Sequence, residues 1–433
     1  MRVLDSPARS YYAASAAGLA PAVRPSLQGE QSVDVGIVGG GIAGCSAALH
    51  LALRGYRVAL LEANTVGYGG SGRSGGQTIF GLAVSQDKLV AQLGAEEARR
   101  VFDFSIEALE LTQSLIKRYA IDCDYRPNHL HVAVKARQAR ELENWTHELH
   151  DQYGYRSVSY LGRAELAAHV RSERFHGGLL DTRSGHLHSL KYTLGLARAA
   201  ESHGARIFEH SCALKFSAGL AAGEDVRLET AAGVLRCKHL VLCGNAYLGA
   251  LAPALARRVL GVGTYIIATE PLAPAHAAAL LPSNAAVADI NWILDYFRLS
   301  ADRRLLFGGR VSYSAIQPPH LAESMRRRMV RVFPSLQDVK IDYAWGGLLD
   351  ITMSRAPDFG RLAPNVFYAQ GFSGHGMTLT AMAGQLIAEA IAGTAERFDV
   401  FTRIPHRDFP GGALLRRPSL MLAMLYYRLK DLL

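Results

Sequence analysis

The chain has 433 residues, more than one hydrophobic core commonly holds, so two domains are expected. Hydrophobic residues make up 49% and charged residues 20%, the balance of an ordinary globular protein rather than a disordered or fibrous one. The net charge of +9 is spread along the chain with no zinc-finger, helix-turn-helix or RNA-binding aromatic pattern, which argues against a nucleic-acid partner. Even Arg326-Arg327-Arg328 falls in an amphipathic helical stretch and reads as a solvated face. Cys45, Cys123, Cys212, Cys237 and Cys243 form no C-x-x-C and no metal-like cluster, so no metal is expected and a reducing, cytoplasmic setting suits them. No signal peptide is seen, and no uninterrupted run of about 18 apolar residues suggests a spanning helix.

Residues 1–32 are rich in Ala, Ser, Pro and Gly and read as an arm lying on the body or partly disordered. Residues 35–38 are a short apolar run suited to a strand buried on both faces. Gly39, Gly41 and Gly44 follow in G-x-G-x-x-G spacing, with Ile42 and Ala43 between the last two. The first glycine permits a tight turn, the second lets backbone approach a pyrophosphate, and the third lets a helix pack close to the sheet. That helix runs through Ala47, Ala48, Leu49 and Leu51, and Gly55 is a natural stop. Its N-terminus offers N–H groups and a positive dipole end to phosphates. Residues 58–61 form the next strand, and Glu62, beside Ala63, stands near the spacing of about 20 residues at which an acid binds a ribose hydroxyl. An ADP moiety is expected here. A second glycine-rich loop, Ser71-Gly72-Arg73-Ser74-Gly75-Gly76-Gln77, follows at once and points to FAD.

Further along, residues 86–120 and 137–152 are helical in pattern, and 129–134 alternates as a strand. A helix over 190–204 leads into a strand over 205–209. Residues 226–230 and 234–237 flank Ala231-Ala232-Gly233 as a hairpin, and 239–246 reads as a separate buried strand ending in a turn at Gly244. A long strand over 262–271, a hairpin of 297–300 with 305–309, and a helix over 325–332 come next. Residues 365–370 form a strand that runs through Gly371-Phe372-Ser373-Gly374-His375-Gly376-Met377 into a helix over 378–391. This strand, glycine turn and helix N-terminus make an anion site in their own right. Residues 414–433 form an amphipathic helix that suits docking on the body, an oligomer contact or a membrane surface.

These residues resemble the D-amino-acid oxidase/glycine oxidase family of FAD-dependent amine oxidoreductases over nearly the whole chain. Within it the chain is most similar to the gamma-glutamylputrescine oxidoreductase branch, on the 71–77 loop, Ala268-Thr269-Glu270-Pro271-Leu272, Asp295-Tyr296-Phe297-Arg298-Leu299-Ser300, Phe307-Gly308-Gly309-Arg310, Trp345-Gly346-Gly347 and the 370–376 turn. Tyr11-Tyr12-Ala13-Ala14 and Phe409-Pro410-Gly411-Gly412 add to it; Ser74 departs from it, since that branch often carries Asn there. The resemblance implies an α/β fold, α+β overall. A discontinuous Rossmann-like FAD-binding domain (33–115, 180–255 and 346–400) carries an inserted antiparallel-sheet substrate domain (116–179 and 256–345), in glutathione-reductase-like flavoprotein architecture. The arm (1–32) and tail (401–433) complete it. It also implies that Gly39, Gly41, Ile42, Ala43 and Gly44 line the pyrophosphate and that Glu62 and Ala63 lie at the adenosine ribose. Ser71, Gly72 and Arg73 would pass the pyrophosphate and ribityl chain. Gly75, Gly76 and Gln77 would lie beside the isoalloxazine, with Gly244 also on the cofactor. Gly374, His375, Gly376 and Met377 would present N–H groups to the flavin's pyrimidine end. No cysteine follows Cys243 and no histidine lies in 69–77, so non-covalent FAD is expected.

Flavin amine oxidation asks a protein for orientation, desolvation and a way to deprotonate an ammonium. In the family's α-amino-acid oxidases an arginine gripping the substrate carboxylate follows a W-x-G-L pattern. Here that pattern reads Trp345-Gly346-Gly347-Leu348-Leu349, and Leu349 stands in the arginine's place. A bidentate clamp is hard to replace, so the expected substrate is an ω-amine such as gamma-glutamylputrescine, with O2 as acceptor. Candidates for the site are Trp345, Tyr296 and Phe297 as an aromatic wall, His375 beside the flavin, Asp350 for a cationic amine and Arg298 for a distal carboxylate; each has an ordinary structural role as alternative. His188 and Lys191 are expected to be structural. The competing readings are a dehydrogenase of a cyclic or secondary amino acid such as L-pipecolate, feeding the respiratory chain, and an FAD-holding scaffold without turnover.

Overall fold

In the computed structural model, which describes residues 9–19, 23–217, 225–312 and 320–411, the first apolar run belongs to the strand Gly29–Val38. Its last four residues are buried because the strand sits inside a parallel sheet. The spatial order is Asp358–Ala363, Val366–Gln370, Gly233–Leu242, Gly29–Val38, Val58–Leu61, Arg206–Phe208. Gly29–Val38 pairs in parallel with Gly233–Leu242 on one side and Val58–Leu61 on the other. Helices Ile42–Ala52, Ser189–Ser202, Gly376–Ile391 and Ala95–Arg118 pack together in the core beside this sheet. The Ser46 hydroxyl donates to the Ala381 carbonyl at 2.6 Å, which marks how closely the first and third of these helices approach.

The second sheet runs Ile341–Thr352, Val259–Thr269, Leu305–Ser312, Tyr296–Leu299, Ala286–Asp289, Arg126–Ala133, Gly177–His186, Gln77–Thr78, with Val158–Gly162 added on Gly177–His186. All its pairings are antiparallel except one: Ala286–Asp289 runs parallel to Arg126–Ala133, two strands far apart in the chain. Its core is separate, with Phe297 stacked on Phe307 at 5.7 Å and the helix Leu321–Val332 contributing Met325 and Met329. The boundaries expected at 180 and 346 fall inside Gly177–His186 and Ile341–Thr352, both of which lie in this sheet throughout.

Three local expectations change. The helical stretch over 86–120 is two helices, Gln86–Leu93 and Ala95–Arg118, because Gly94 adopts φ +83° between them. The strands expected over 234–237 and 239–246 are one strand, Gly233–Leu242, held in register along its length by Gly29–Val38; Asn245–Tyr247 then turns away. Part of the arm is ordered: Tyr11–Ser15 is a short helix, capped by the Ser10 hydroxyl, with Tyr11 and Tyr12 buried. The expected tail helix, 414–433, lies outside the described residues. Among the described residues no helix is long and apolar enough to cross a membrane, no cysteines are paired, and no group of three or more His, Cys, Asp or Glu side chains forms a metal cluster.

Candidate active site

The first half of the site lies where open α/β sheets bind ligands, at the carboxyl ends of the parallel strands. A cavity of about 840 Å³ opens there, lined by Val38, Gly39, Gly41, Leu61, Glu62, Ala63, Ser71, Cys243 and Gly244 among others. Gly39 takes φ +109°, and a Cβ on it would stand 2.6 Å from the Cys243 carbonyl oxygen. A Cβ on Gly44 would overlap the Gly39 carbonyl, so the turn and the helix Ile42–Ala52 fit only with glycine at both positions. Ile42 and Ala43 form the first helical turn, and no side chain caps it; the Ile42 N–H reaches the Ser71 hydroxyl at 3.0 Å. Glu62 accepts from the Gly40 N–H at 2.7 Å and the Asn64 N–H at 2.8 Å. Burial raises its pKa while those two donors oppose the rise.

The Gly69–Gln77 segment leads from this cavity to a second one, and buried side chains clamp it from beneath. The 3₁₀ turn Gly70–Gly72 hands on to Arg73, which donates to the Tyr68 carbonyl at 2.6 Å and the Gly346 carbonyl at 3.3 Å. Trp345 donates from its indole to the Arg73 carbonyl at 3.0 Å. Arg298 donates to the carbonyls of Gly75 at 2.8 Å and Leu187 at 2.9 Å and to the Tyr12 hydroxyl at 2.9 Å.

The second cavity holds about 1140 Å³. Ser74, Gly75, Gly76 and Gln77 border it on one side, and Ser373, Gly374, His375 and Met377 on another. Thr264, Tyr296, Leu349 and Ile351 supply the sheet wall, and His131, Asp289, Trp292, Leu294 and Arg355 complete the lining. The Ser74 hydroxyl lies 3.0 Å from the Met377 sulfur, so the two glycine loops meet. Gly376–Ile391 begins at this cavity with no side-chain cap, leaving its first N–H groups aimed at whatever lies there.

The expected substrate residues divide. Tyr296 and His375 line the cavity. Trp345 and Arg298 do not. Trp345 shares a strand face with Leu349 and Ile351, but Tyr12 packs on it at 5.4 Å and its indole N–H is engaged by the Arg73 carbonyl. Arg298 is 3% exposed and its donors are engaged by carbonyls and the Tyr12 hydroxyl. Asp350 also stays out, because strand alternation turns it away from the Leu349 face. It instead accepts from the Gly371 N–H, and burial pushes it up to about 7. His188 caps the helix Ser189–Ser202 and contacts the Ser15 hydroxyl at 2.9 Å, and Lys191 pairs with Asp124 at 3.0 Å.

A sequence model described as FAD dependent oxidoreductase (DAO) matches residues 34–390. The chain belongs to that family. The gamma-glutamylputrescine oxidoreductase of Escherichia coli (strain K12) is 42% identical over 427 residues, covering 98% of both chains. A "probable oxidoreductase OrdL" of Haemophilus influenzae is 37% identical over 411 residues, covering 94% of both. Among solved structures, glycine oxidase from Bacillus cereus superposes with a TM-score of 0.69 at 20% identity, covering 87% of this chain and 99% of that one. The family and fold expected from the glycine loops are thus the ones found.

This FAD-dependent oxidoreductase has a frame that fits its cofactor: the glycine cradle would be filled by any Cβ, and the uncapped helix starts face each cavity. Its second cavity holds, beside the expected His375 and Tyr296, three groups the sequence reading missed: His131, Asp289 and Arg355. Burial lowers His375 to about 4, with the Arg355 charge adding to the effect, and lowers His131 to about 3. Both imidazoles are neutral at pH 7, and burial keeps the Tyr296 phenol protonated. Asp289 is pushed up to about 7, first by burial and then by Asp295 nearby; the Asn291 N–H and side-chain amide donate to it at 3.0 and 3.1 Å. His131 lies in an expected strand, but nothing in the sequence told which face would meet the two glycine loops. The acid closing Ala286-Val287-Ala288-Asp289 was a usable signal; Arg355 offered none.

Proposed function

We propose that this enzyme oxidises the terminal primary amine of gamma-glutamylputrescine or a closely similar ω-amine. The amine, O2 and water would give the aldehyde, ammonia and H2O2. The observation that carries the reading is Leu349. It lines the cavity, with a methyl carbon 3.7 Å from where a Cβ on Gly374 would stand. Hydrocarbon therefore faces the helix-start loop at the position where the family's α-amino-acid oxidases present a carboxylate-gripping arginine, and Ile351 extends the same apolar surface. The likeness to the Escherichia coli enzyme over 98% of the chain supports the same substrate class.

Bound FAD supplies the two-electron acceptor. The chain's own part is to hold the amine-bearing carbon against the wall of Leu349 and Ile351 and to exclude water there. Tyr296, His131 and His375 present a phenol and two neutral imidazoles, so these three add no positive charge against an incoming ammonium. Asp289, ionising near neutral pH, is the acid in the lining able to attract that ammonium and hold its proton.

Anaerobic mixing of the yellow protein with gamma-glutamylputrescine, putrescine, L-pipecolate, sarcosine and D-alanine tests the reading. Rapid bleaching of the oxidised-flavin band by gamma-glutamylputrescine, followed by stoichiometric peroxide under air, is expected. Bleaching by the α-amino acids in its place would refute it.

A further inference from the structure

Arg355 carries the only permanent positive charge among the described lining residues of the second cavity. Other partly buried arginines in this molecule are paired: Arg304 with Asp302 and Asp342, Arg328 with Asp295, Arg397 with Glu389 and Glu107. Among the described residues Arg355 has no such carboxylate; its guanidinium lies over the Trp292 ring, 5.8 Å from the centroid. Its backbone is also unusual. Arg355 adopts φ +67°, a left-handed conformation that a bulky residue takes only against steric strain. The turn that imposes it is braced by the Arg355 N–H on the Thr352 carbonyl at 3.2 Å and the Thr352 hydroxyl on the Ala356 carbonyl at 2.7 Å. The braced turn thus holds at the cavity a cation that no carboxylate neutralises.

The surroundings say which ligand. Trp292 and Leu294, 43% and 38% exposed, form an apolar rim beside the guanidinium. The wall near Gly374 is hydrocarbon, from Leu349. A ligand that satisfies both parts has an uncharged chain along the wall and an anion at the rim. We propose that Arg355 anchors the carboxylate of the substrate at the end remote from the oxidised amine, so that the enzyme selects amines that carry a distant carboxylate over plain diamines. The proposal rests on the reading that the reacting group is a terminal amine, with no carboxylate on the carbon that bears it. A guanidinium suits this task because it binds a carboxylate in two-pronged fashion while stacking on an aromatic face.

The test separates the anchor from the reaction. The probe is the butylamide of glutamate joined through its γ-carboxyl, which keeps the distal carboxylate and has no terminal amine to oxidise. Its binding to the holoenzyme is read from perturbation of the flavin absorbance. Wild-type protein should bind it, and should bind the matching α-carboxamide, in which the carboxylate is replaced by an uncharged amide, about 10- to 100-fold more weakly. Arg355→Gln should remove that preference with flavin content unchanged, and Arg355→Lys should keep part of it. In turnover, Arg355→Gln should raise KM for gamma-glutamylputrescine by a similar factor and change KM far less for its α-carboxamide, which offers the guanidinium no carboxylate. If wild-type protein binds the two amides alike, or if Arg355→Gln keeps the preference, the anchor is overturned. The wild-type comparison needs no variant to fold. Failure of gamma-glutamylputrescine to bleach the flavin would overturn the substrate reading alone, because the amide binding does not depend on it.

Discussion

Arg298 offers a sharp test of whether the Gly69–Gln77 loop, expected to hold flavin, is clamped from within the fold. Its guanidinium is buried without a carboxylate and is satisfied by the carbonyls of Gly75, Leu187 and Leu299 and by the Tyr12 hydroxyl. Gly75 is in the loop that borders the second cavity, and Leu187 precedes the helix Ser189–Ser202. Arg298→Met keeps most of the volume and removes all four bonds. A hydrogen bond to a charged group is worth about 1.5–3 kcal/mol, and two such bonds tie the loop to the 187 segment. Relief of the buried charge offsets part of their loss, leaving roughly 3 kcal/mol. If that falls on the loop, the FAD dissociation constant rises about 100-fold, at 1.4 kcal/mol per factor of ten. Titration of apoprotein with FAD, followed by flavin fluorescence, measures it directly. A dissociation constant within threefold of wild type would refute the clamp. A raised substrate KM with FAD binding intact would do more, since it would restore Arg298 to the carboxylate-binding role that its engaged donors exclude.

Other consequences follow from groups whose environment the structure defines. Asp289 is anionic only above about pH 7, so kcat/KM for a cationic amine should rise through that pH, and Asp289→Asn should abolish the rising limb in a pH–rate profile. Asp350 has a folded pKa of about 7, above its unfolded value; its contribution to stability is therefore full below about pH 4 and is lost as pH rises through 7. Urea unfolding of the apoprotein should show this loss, up to about 4 kcal/mol, and Asp350→Asn should flatten it; an unchanged slope would contradict the assignment. Gly44→Ala places a methyl group into the Gly39 carbonyl, so the variant should be purified colourless or with FAD bound at least about 100-fold more weakly. Full flavin content in that variant would show that the cradle tolerates a side chain.

The division between what could be read from the residues and what could not follows the range of the forces involved. The strand at Val58–Leu61, the turn at Gly39 and the helix stop at Gly55 are set by neighbours a few residues away, and their chemistry is visible in the chain. So is the helix break at Gly94, although a periodic pattern running through it concealed it. Burial is different, because it is decided by partners far off in sequence. Trp345 and Leu349 lie on one face of one strand, and period-two alternation cannot rank them. What separates them is Tyr12, from an arm more than three hundred residues away, which seals the first and leaves the second facing the cavity. Arg298 and Arg355 make the same point in reverse. The first sits in a motif typical of the family and is fully engaged inside the fold; the second sits in no motif and is left at the cavity with its charge unpaired. Motifs mark the backbone turns where glycine is the only residue that fits, as at Gly39 and Gly44. Substrate contacts are made by side chains, and their availability depends on which donors the rest of the fold has already engaged. A carboxylate anchor in this enzyme therefore has to be sought among cations the fold leaves unpaired, and Arg355 meets that condition where Arg298 does not.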